Sequence, residues 1–149
     1  MTLTQRIEKD YIEAYKAKDA LRLGVLRLLK TAAKNLQVEL MRPVEEAELL
    51  DVVMKQAKQR QDSIDQFRAA GRNDLADKEE AELGVLRDYM PVPLTDDELQ
   101  QAIAAAMAET GAKGVQDMGK VMQVVMAAHK GRVDGKALSA IVRARLQAS

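Results

Sequence analysis

The chain has 149 residues, enough for one ordinary domain or two small ones. Apolar residues make up 47% of the sequence and charged residues 31%, a balance that supports a packed core under a solvated surface and argues against disorder. The 23 basic and 23 acidic side chains cancel, so an electrostatic partner must be recognised by a local patch of charge.

Cysteine is absent, which excludes disulfides and thiolate chemistry and is consistent with a reducing compartment. The first ten residues carry charges and contain no apolar segment of the signal-peptide type. No apolar run is long enough to cross a bilayer. We therefore expect a cytoplasmic protein without a membrane partner.

Helix-favouring residues recur at the spacing i, i+3, i+4 and i+7, and signals for strands are nearly missing. Thr2 and Gln5 predict a capping box for a first helix. Asp19 is the expected cap of a second helix, which should end near Arg42 because Pro43 disfavours helical geometry in the residue before it. The apolar face of the first helix contains Leu3, Ile7, Tyr11 and Ala14.

A third helix should open after Pro43, because acidic side chains suit the positive end of a helix dipole. These side chains are Glu45, Glu46 and Glu48. Gly71 is expected to close this helix, and Asn73 to cap a fourth.

Pro91 and Pro93 then interrupt the helical pattern and favour an extended link. We predict a domain boundary here, with an N-terminal subdomain at 1–90 and a C-terminal subdomain at 95–149. The fold class is all-α, with about four helices before the link and a three-helix tail after it.

The tail begins with a second capping box, formed by Thr95 and Glu98. Its first helix has an apolar face and should end before Gly111. Two shorter helices follow at roughly 117–130 and 135–147, with Asp117 and Asp134 as their predicted caps. The apolar face contains Leu99, Ile103 and Met107.

No catalytic, metal or cofactor site is visible in the sequence. His129 is the only histidine, and its position on a last helical turn suits the helix dipole. Neither Ser63 nor Ser139 follows a turn that would present a nucleophile. The acidic runs at 45–48 and 77–82 alternate with cations at helical spacing, which is typical of a solvated face. The segment "GAKG" lacks the spacing of a phosphate-binding loop.

The segment "DMGKVMQVVMAAHKGRVDGK" combines glycines, methionines and lysines. Its methionines repeat every four residues, which is typical of core. Gly119 suits the close approach of a neighbouring helix, Gly131 a C-cap, and Gly135 the turn into the last helix. The methionines are Met118, Met122 and Met126.

Positive charge is concentrated at the C-terminal end of the chain. Residues 1–90 contain 16 basic and 17 acidic side chains, whereas residues 111–149 contain seven basic and two acidic ones. Cations around a glycine-rich turn suit phosphate. The basic region lacks aromatic side chains, so it would recognise the backbone and shape of a folded RNA. These cations are Lys120, Lys130, Arg132 and Lys136, with Arg143 and Arg145 along the last helix.

The segment "DMGKVMQVVMAAHKGRVDGKALSAIVRARL" resembles the C-terminal tail of the GatB/YqeY family, in which a D-x-G-K-V-M helix precedes a K-G-R/K-x-D/N-G turn. "KQRQDSIDQFRAAGRNDLADKEEAELGVLRDYMPVPLTDDEL" is similar to the stand-alone, bacterial-type YqeY-like proteins of that family. The resemblance covers nearly the whole chain. It implies two helical subdomains and a tail that contacts tRNA, and the residues that match its tail motif are Gly119, Lys120, Lys130, Gly131, Arg132, Gly135 and Lys136.

The leading hypothesis is a non-catalytic tRNA-binding accessory protein of translation. Its predicted RNA-binding residues are those that match the tail motif, together with Arg143. The resemblance also implies, as partners, an aminoacyl-tRNA synthetase or a glutamine-dependent tRNA amidotransferase. Two alternatives remain open: a component of tRNA amidotransfer, which is carbon-nitrogen ligation with glutamine as the nitrogen donor, and a protein-interaction module without RNA binding.

Overall fold

The computed structural model describes residues 1–148, and this part of the chain is all-α, as the periodicity predicts. Seven α-helices and one short 3-10 turn, Val115–Asp117, follow one another without a strand in the described residues. None of these helices is long and apolar enough to cross a membrane. The helices are α1 Leu3–Ala17, α2 Ala20–Leu40, α3 Glu46–Ala69, α4 Asn73–Arg87, α5 Asp96–Thr110, α6 Met118–Ala128 and α7 Gly135–Gln147.

The chain divides into two compact units, Met1–Met90 and Pro91–Ser149, which we call the N-terminal unit and the tail unit. Each unit has its own cluster of buried apolar side chains. In the N-terminal unit all four helices contribute, and its most deeply buried large side chains come from α2, α3 and α4. These side chains are Val25, Leu26, Leu29, Val53 and Leu86.

The core of the tail unit is small and is built from one face of each of its three helices. Val121 and Val125 are the fully buried residues of α6. The methionine repeat predicted as core packs against this cluster but is only half-buried, because it lies to the side of the valines on the helix. The buried residues are Ile103, Ala106, Val121, Val125, Leu138, Val142 and Leu146.

Most of the predicted helix caps are present. The Thr2 and Thr95 hydroxyls accept hydrogen bonds from the backbone N–H groups three residues later, which confirms both capping boxes. Asp19 and Asp134 cap α2 and α7. Gly111 ends α5 in the left-handed conformation, with φ of 66°. Helix α2 ends at Leu40, two residues before the predicted end.

One predicted cap is wrong, and another occupies its predicted position without capping through its side chain. Asn73 is the first residue of α4 rather than its cap, because Gly71, with φ of 73°, turns the chain so tightly that Arg72 takes the N-cap position. The Arg72 N–H donates to the Phe67 carbonyl at 2.8 Å. Asp117 is the N-cap residue of α6, as predicted, but its carboxylate accepts from the Lys113 N–H at 3.0 Å rather than from the N–H groups of α6.

The acidic run at 77–82 is not simply a solvated face, and this expectation is corrected. Glu79 and Glu82 of α4 are mostly buried, with side-chain exposures of 23% and 17%. Both carboxylates pair with Arg60 of α3, whose side chain is 13% exposed. A mostly buried cation needs such partners, because leaving its charge unpaired away from water costs several kcal/mol.

Tyr89, near the end of the N-terminal unit, is 4% exposed. Its hydroxyl donates to Asp10 Oδ2 of α1 at 2.6 Å, and the Arg22 guanidinium lies 4.0 Å from the same carboxylate oxygen. Burial, followed by the contact with Asp10, raises the pKa of Tyr89. The neutral phenol therefore ties the end of the unit to α1, while Arg6 lies over the Tyr89 ring at 5.2 Å.

Replacing Tyr89 with Phe should lower the free energy of unfolding of the N-terminal unit by about 1.5–3 kcal/mol, because the hydrogen bond that is lost has a charged acceptor. Urea unfolding followed by circular dichroism measures this loss. Tyr15→Phe is the matched control, since Tyr15 is 65% exposed and should be neutral. Equal stability of the two variants would contradict an anchoring role for the Tyr89 hydroxyl.

Glu48 fixes the start of α3. Its carboxylate accepts hydrogen bonds from the Arg42 guanidinium at 2.8 and 3.0 Å and from the Glu45 N–H at 2.9 Å. The bonds from Arg42, followed by the bond from the Glu45 backbone, lower the pKa of Glu48 to about 2. The charged form of this carboxylate is thus favoured by folding.

Because the pKa of Glu48 is depressed in the folded state, its charge stabilises the fold above the ordinary glutamate pKa, and this contribution disappears as the pH falls towards about 2. Glu48→Gln keeps an acceptor for the Glu45 N–H but removes the charge. We expect the variant to be less stable than the parent at pH 6, with the difference shrinking between pH 4.5 and about 2. Unfolding measured at each pH tests this, and a constant difference would contradict it.

Candidate nucleic-acid interface

The turn between α6 and α7 is fixed by backbone hydrogen bonds. The His129 N–H donates to the Val125 carbonyl, and the Arg132 N–H to the His129 carbonyl, both at 3.0 Å. Gly131 has φ of 79°, in the left-handed region, so glycine suits this position. Asp134 then caps α7 by accepting from the Lys136 N–H at 3.2 Å. The "HKGRVDG" segment therefore forms a defined turn with basic side chains around it.

Arg132 holds the linker segment of the tail unit against this turn. Its Nε donates to the Val92 carbonyl at 2.7 Å, and its own carbonyl accepts from the Leu94 N–H at 3.0 Å. A terminal nitrogen lies 3.7 Å from Glu98 Oε2. The guanidinium thus has a structural task, which sequence reasoning missed because its partners lie about 40 residues earlier in the chain.

Three other predicted cations point into solvent. Lys120 of α6 and Lys136 and Arg143 of α7 are exposed, and their side chains make no ion pair or hydrogen bond within residues 1–148. Lys136 and Arg143 are two helical turns apart, so they share one face of α7. Ala140, also exposed, lies between them. This face offers two cations and no bulky side chain between them.

The remaining cations of the tail unit differ in their surroundings. Lys130, two residues after the end of α6, is exposed but has an interaction within the chain. Arg145 donates to the Gln100 carbonyl at 3.2 Å and to Gln100 Oε1 at 3.0 Å, so it joins α7 to α5. Only part of the basic character of the sequence is therefore displayed to a partner.

The helix glycines have open surroundings. Gly119 is exposed in the first turn of α6, and a Cβ added there would meet nothing within 4 Å. The expected close approach of a neighbouring helix at Gly119 is therefore wrong for the described chain. Gly135, the first residue of α7, is equally open. Packing inside the chain requires glycine at neither position.

The tail unit separates its charges along the sequence. Helix α5 contains four acidic side chains and no basic one, whereas residues 111–149 contain seven cations and two acids. Three of the α5 acids lie in its first turn, where they suit the helix dipole. The positive side chains are thus carried by α6, α7 and the turns around these helices.

The candidate catalytic residues, Ser63, His129 and Ser139, lie on or next to three different helices. Among residues 1–148, no group of three or more His, Asp or Glu side chains is placed to hold a metal ion. His129 is the C-cap of α6, and Ser139 lies within α7. Ser63, on α3, lines a pocket with Arg60 and Glu79 in the N-terminal unit.

Comparison with known proteins identifies relatives over most of the chain. The family model described as "Yqey-like protein" matches residues 4–146. A Pyrenophora tritici-repentis protein named "Altered inheritance of mitochondria protein 41, mitochondrial" is 31% identical over 137 residues, which cover 90% of this chain and 75% of that protein.

Proteins of the same name occur in two yeasts. The one from Saccharomyces cerevisiae strain YJM789 is 31% identical over 117 residues, covering 74% of this chain and 63% of its own length. The one from Lachancea thermotolerans is 34% identical over 85 residues, covering 56% of this chain and 46% of its own length. The chain thus spans less than two thirds of either yeast relative. With the family model matching nearly end to end, the chain belongs to the Yqey-like protein family.

Proposed function

We propose that the chain is a non-catalytic tRNA-binding accessory protein whose tail unit contacts the phosphate backbone of folded tRNA. The observation that carries the proposal is the exposed set of cations on α6 and α7, which have no side-chain partner within residues 1–148. Unpaired surface cations bind phosphate by releasing counterions, without reading the base sequence. The set consists of Lys120, Lys136 and Arg143.

The composition of the tail unit favours recognition of backbone and shape. All four aromatic residues of the chain lie in the N-terminal unit, so α5 to α7 offer no ring on which a splayed base could stack. Two cations in line on a helical face suit a row of phosphates. A folded RNA presents such rows on its outer surface, whatever its sequence.

The tail resembles that of the amidotransferase B subunits, and this resemblance supports tRNA as the RNA that the chain binds. The D-x-G-K-V-M motif spans the start of α6, and the K-G-R-x-D-G motif is the turn fixed by Arg132 and Asp134. In the amidotransferases the similar tail contacts tRNA away from the chemistry. A synthetase or an amidotransferase is the corresponding protein partner that we propose for this chain.

The first test is equilibrium binding of labelled total tRNA to the full chain across a salt series. The variant K120A/K136A/R143A should bind weakly, with the slope of log K against log salt reduced by about one unit for each lost phosphate contact. Arg132 and Lys130 are left intact because both have interactions within the chain. A change in stability would otherwise be mistaken for a loss of binding.

The matched control removes three exposed lysines of the N-terminal unit, Lys55, Lys58 and Lys78. Both triple variants change the net charge equally, so general attraction to RNA falls by the same amount in each. A slope that drops in the tail variant alone would support the tail as the contact surface. Equal slopes in the parent and the tail variant, or no tRNA binding at low salt by the folded protein, would sink the proposal.

Gly119→Ala tests whether a partner approaches the backbone of α6. Because the added methyl group meets nothing in the chain, alanine should raise the free energy of unfolding by up to about 1 kcal/mol. tRNA binding should nevertheless weaken several-fold if phosphate lies against this exposed turn. Thermal unfolding and tRNA titration of the same sample separate the two effects.

Gly84→Ala is the control for this prediction, since Gly84 of α4 also has nothing within 4 Å of an added Cβ. It should gain a similar stability without any change in tRNA affinity. A Gly119→Ala protein that binds tRNA as well as the parent would remove Gly119 from the contact surface, while leaving the cations to their own test.

A further inference from the structure

The N-terminal unit contains a groove of about 510 Å³ between α1, α2 and the start of α3. Its volume lies in the range of about 300–1,000 Å³ that is usual for small-molecule sites. We call it the α1–α2 groove. Thr4, Glu8 and Tyr11 line it from α1, and Pro43 and Val44 close it beside α3.

One wall of the groove is a row of cations on α2. Arg27, Lys30 and Lys34 follow one another at i, i+3 and i+7, so they lie on one side of the helix. They extend over about 10 Å of helix axis at 1.5 Å per residue. Arg27 and Lys34 are exposed, and neither side chain has an ion-pair or hydrogen-bond partner within residues 1–148.

Lys30, in the middle of the row, is held in place by α1. Its ammonium lies 3.2 and 3.3 Å from the two Glu8 carboxylate oxygens and 4.0 Å from the centre of the Tyr11 ring. Among the residues that the structure describes, Glu8 is the only acid that lines the groove. With this acid already paired, the groove keeps the two unpaired positive charges of Arg27 and Lys34.

The floor of the groove is apolar. Ile7, Leu29 and Leu49 line it and belong to the buried core of the unit, and Val44 packs against the same core. The hydroxyls of Thr4 and Thr31 and the amide of Gln37 add polar groups at the sides. A ligand that fits must therefore combine an anion of several oxygens with a less polar part that can cover the floor.

We propose that the α1–α2 groove binds a nucleotide, with its phosphate between Arg27 and Lys34 and its ribose and base over the apolar floor beside Tyr11. Cations next to an aromatic ring are the combination that binds single nucleotides of an unpaired strand. The nucleotide could be free or part of an RNA, and both sources share this chemistry. The groove lies wholly in the N-terminal unit, so it does not depend on the function proposed for the tail unit.

The test uses the full chain and a labelled single-stranded RNA of about eight nucleotides, a length within the usual site size of single-strand binding proteins. Fluorescence anisotropy at low salt gives the affinity. Arg27→Gln together with Lys34→Gln should weaken binding about ten-fold or more, because two charge-assisted hydrogen bonds to phosphate are lost. Glutamine keeps the helix propensity of both positions, and circular dichroism checks the fold.

The matched control is Lys55→Gln together with Lys58→Gln, which removes two exposed cations from α3 of the same unit and leaves the groove intact. Its affinity should stay within about two-fold of the parent, as expected when only screened, distant charges change. If both double variants weaken RNA binding equally, the loss comes from the lower net charge and not from the groove, and the proposal is overturned.

Competition distinguishes the two sources of the nucleotide. If adenosine 5′-monophosphate displaces the labelled RNA and adenosine does not, the groove accepts a free nucleotide through its phosphate. If only unlabelled RNA competes, the nucleotide must be part of a strand. Either result supports the proposal, provided that the Arg27 and Lys34 variant has lost the binding.

The tail variant K120A/K136A/R143A separates this proposal from the preceding one. If that variant keeps its affinity for the single strand, the groove acts independently of the tail, even if tRNA binding by the tail should fail. If the single strand binds through the tail alone, with the Arg27 and Lys34 variant unaffected, the groove proposal is wrong while the tail proposal stands. If the folded parent binds neither the single strand nor adenosine 5′-monophosphate, the groove proposal is also wrong.

Discussion

Burial of a few aliphatic side chains in the tail core determines which residues the tail can present to a partner. Val121 and Val125 face inward from α6, and Leu138 and Val142 from α7, where each is at most 1% exposed. They form the tail core together with Ile103, Ala106 and Leu146. At 3.6 residues per turn, the orientation of the other positions follows from these. Lys120, Lys136 and Arg143 are exposed for this reason, so the same periodicity that stabilises the unit also sets out its cations.

Arg132 shows that a cation predicted to bind RNA can instead have a structural role in this unit. A guanidinium next to a glycine turn looks like a phosphate ligand in the sequence, yet its Nε donates to the Val92 carbonyl and its charge faces Glu98. Arginine suits this task because its planar group can serve a carbonyl and a carboxylate at once. The positive charge of Arg132 is therefore partly offset within the chain, and a variant at Arg132 would disturb the turn as well as the charge.

The sequence predicts features that depend on local interactions, such as helix caps. It does not predict contacts between residues that are distant along the chain. Thr2, Asp19, Thr95 and Asp134 were correctly predicted as caps because a cap bonds to backbone only two or three residues away. The prediction of Asn73 as a cap is wrong because the tight turn at Gly71 places Arg72 at the N-cap position. Contacts between separate helices cannot be predicted from periodicity alone. Examples are the pairing of Arg60 with Glu79 and Glu82, and the hydrogen bond from Tyr89 to Asp10. The α1–α2 groove, which residues of three helices line, is another.

The open helix glycines raise a question that the fold does not answer by itself. A glycine inside a helix costs about 0.5–1 kcal/mol relative to alanine, and neither Gly24 nor Gly119 recovers this cost through packing or a left-handed backbone. Both are exposed, and each lies on a helix that carries unpaired cations: Arg27 and Lys34 on α2, and Lys120 on α6. A bare stretch of backbone beside a cation lets a phosphate approach more closely than a side chain would permit. The stability lost at these two positions is thus consistent with helices whose outer faces serve an anionic partner.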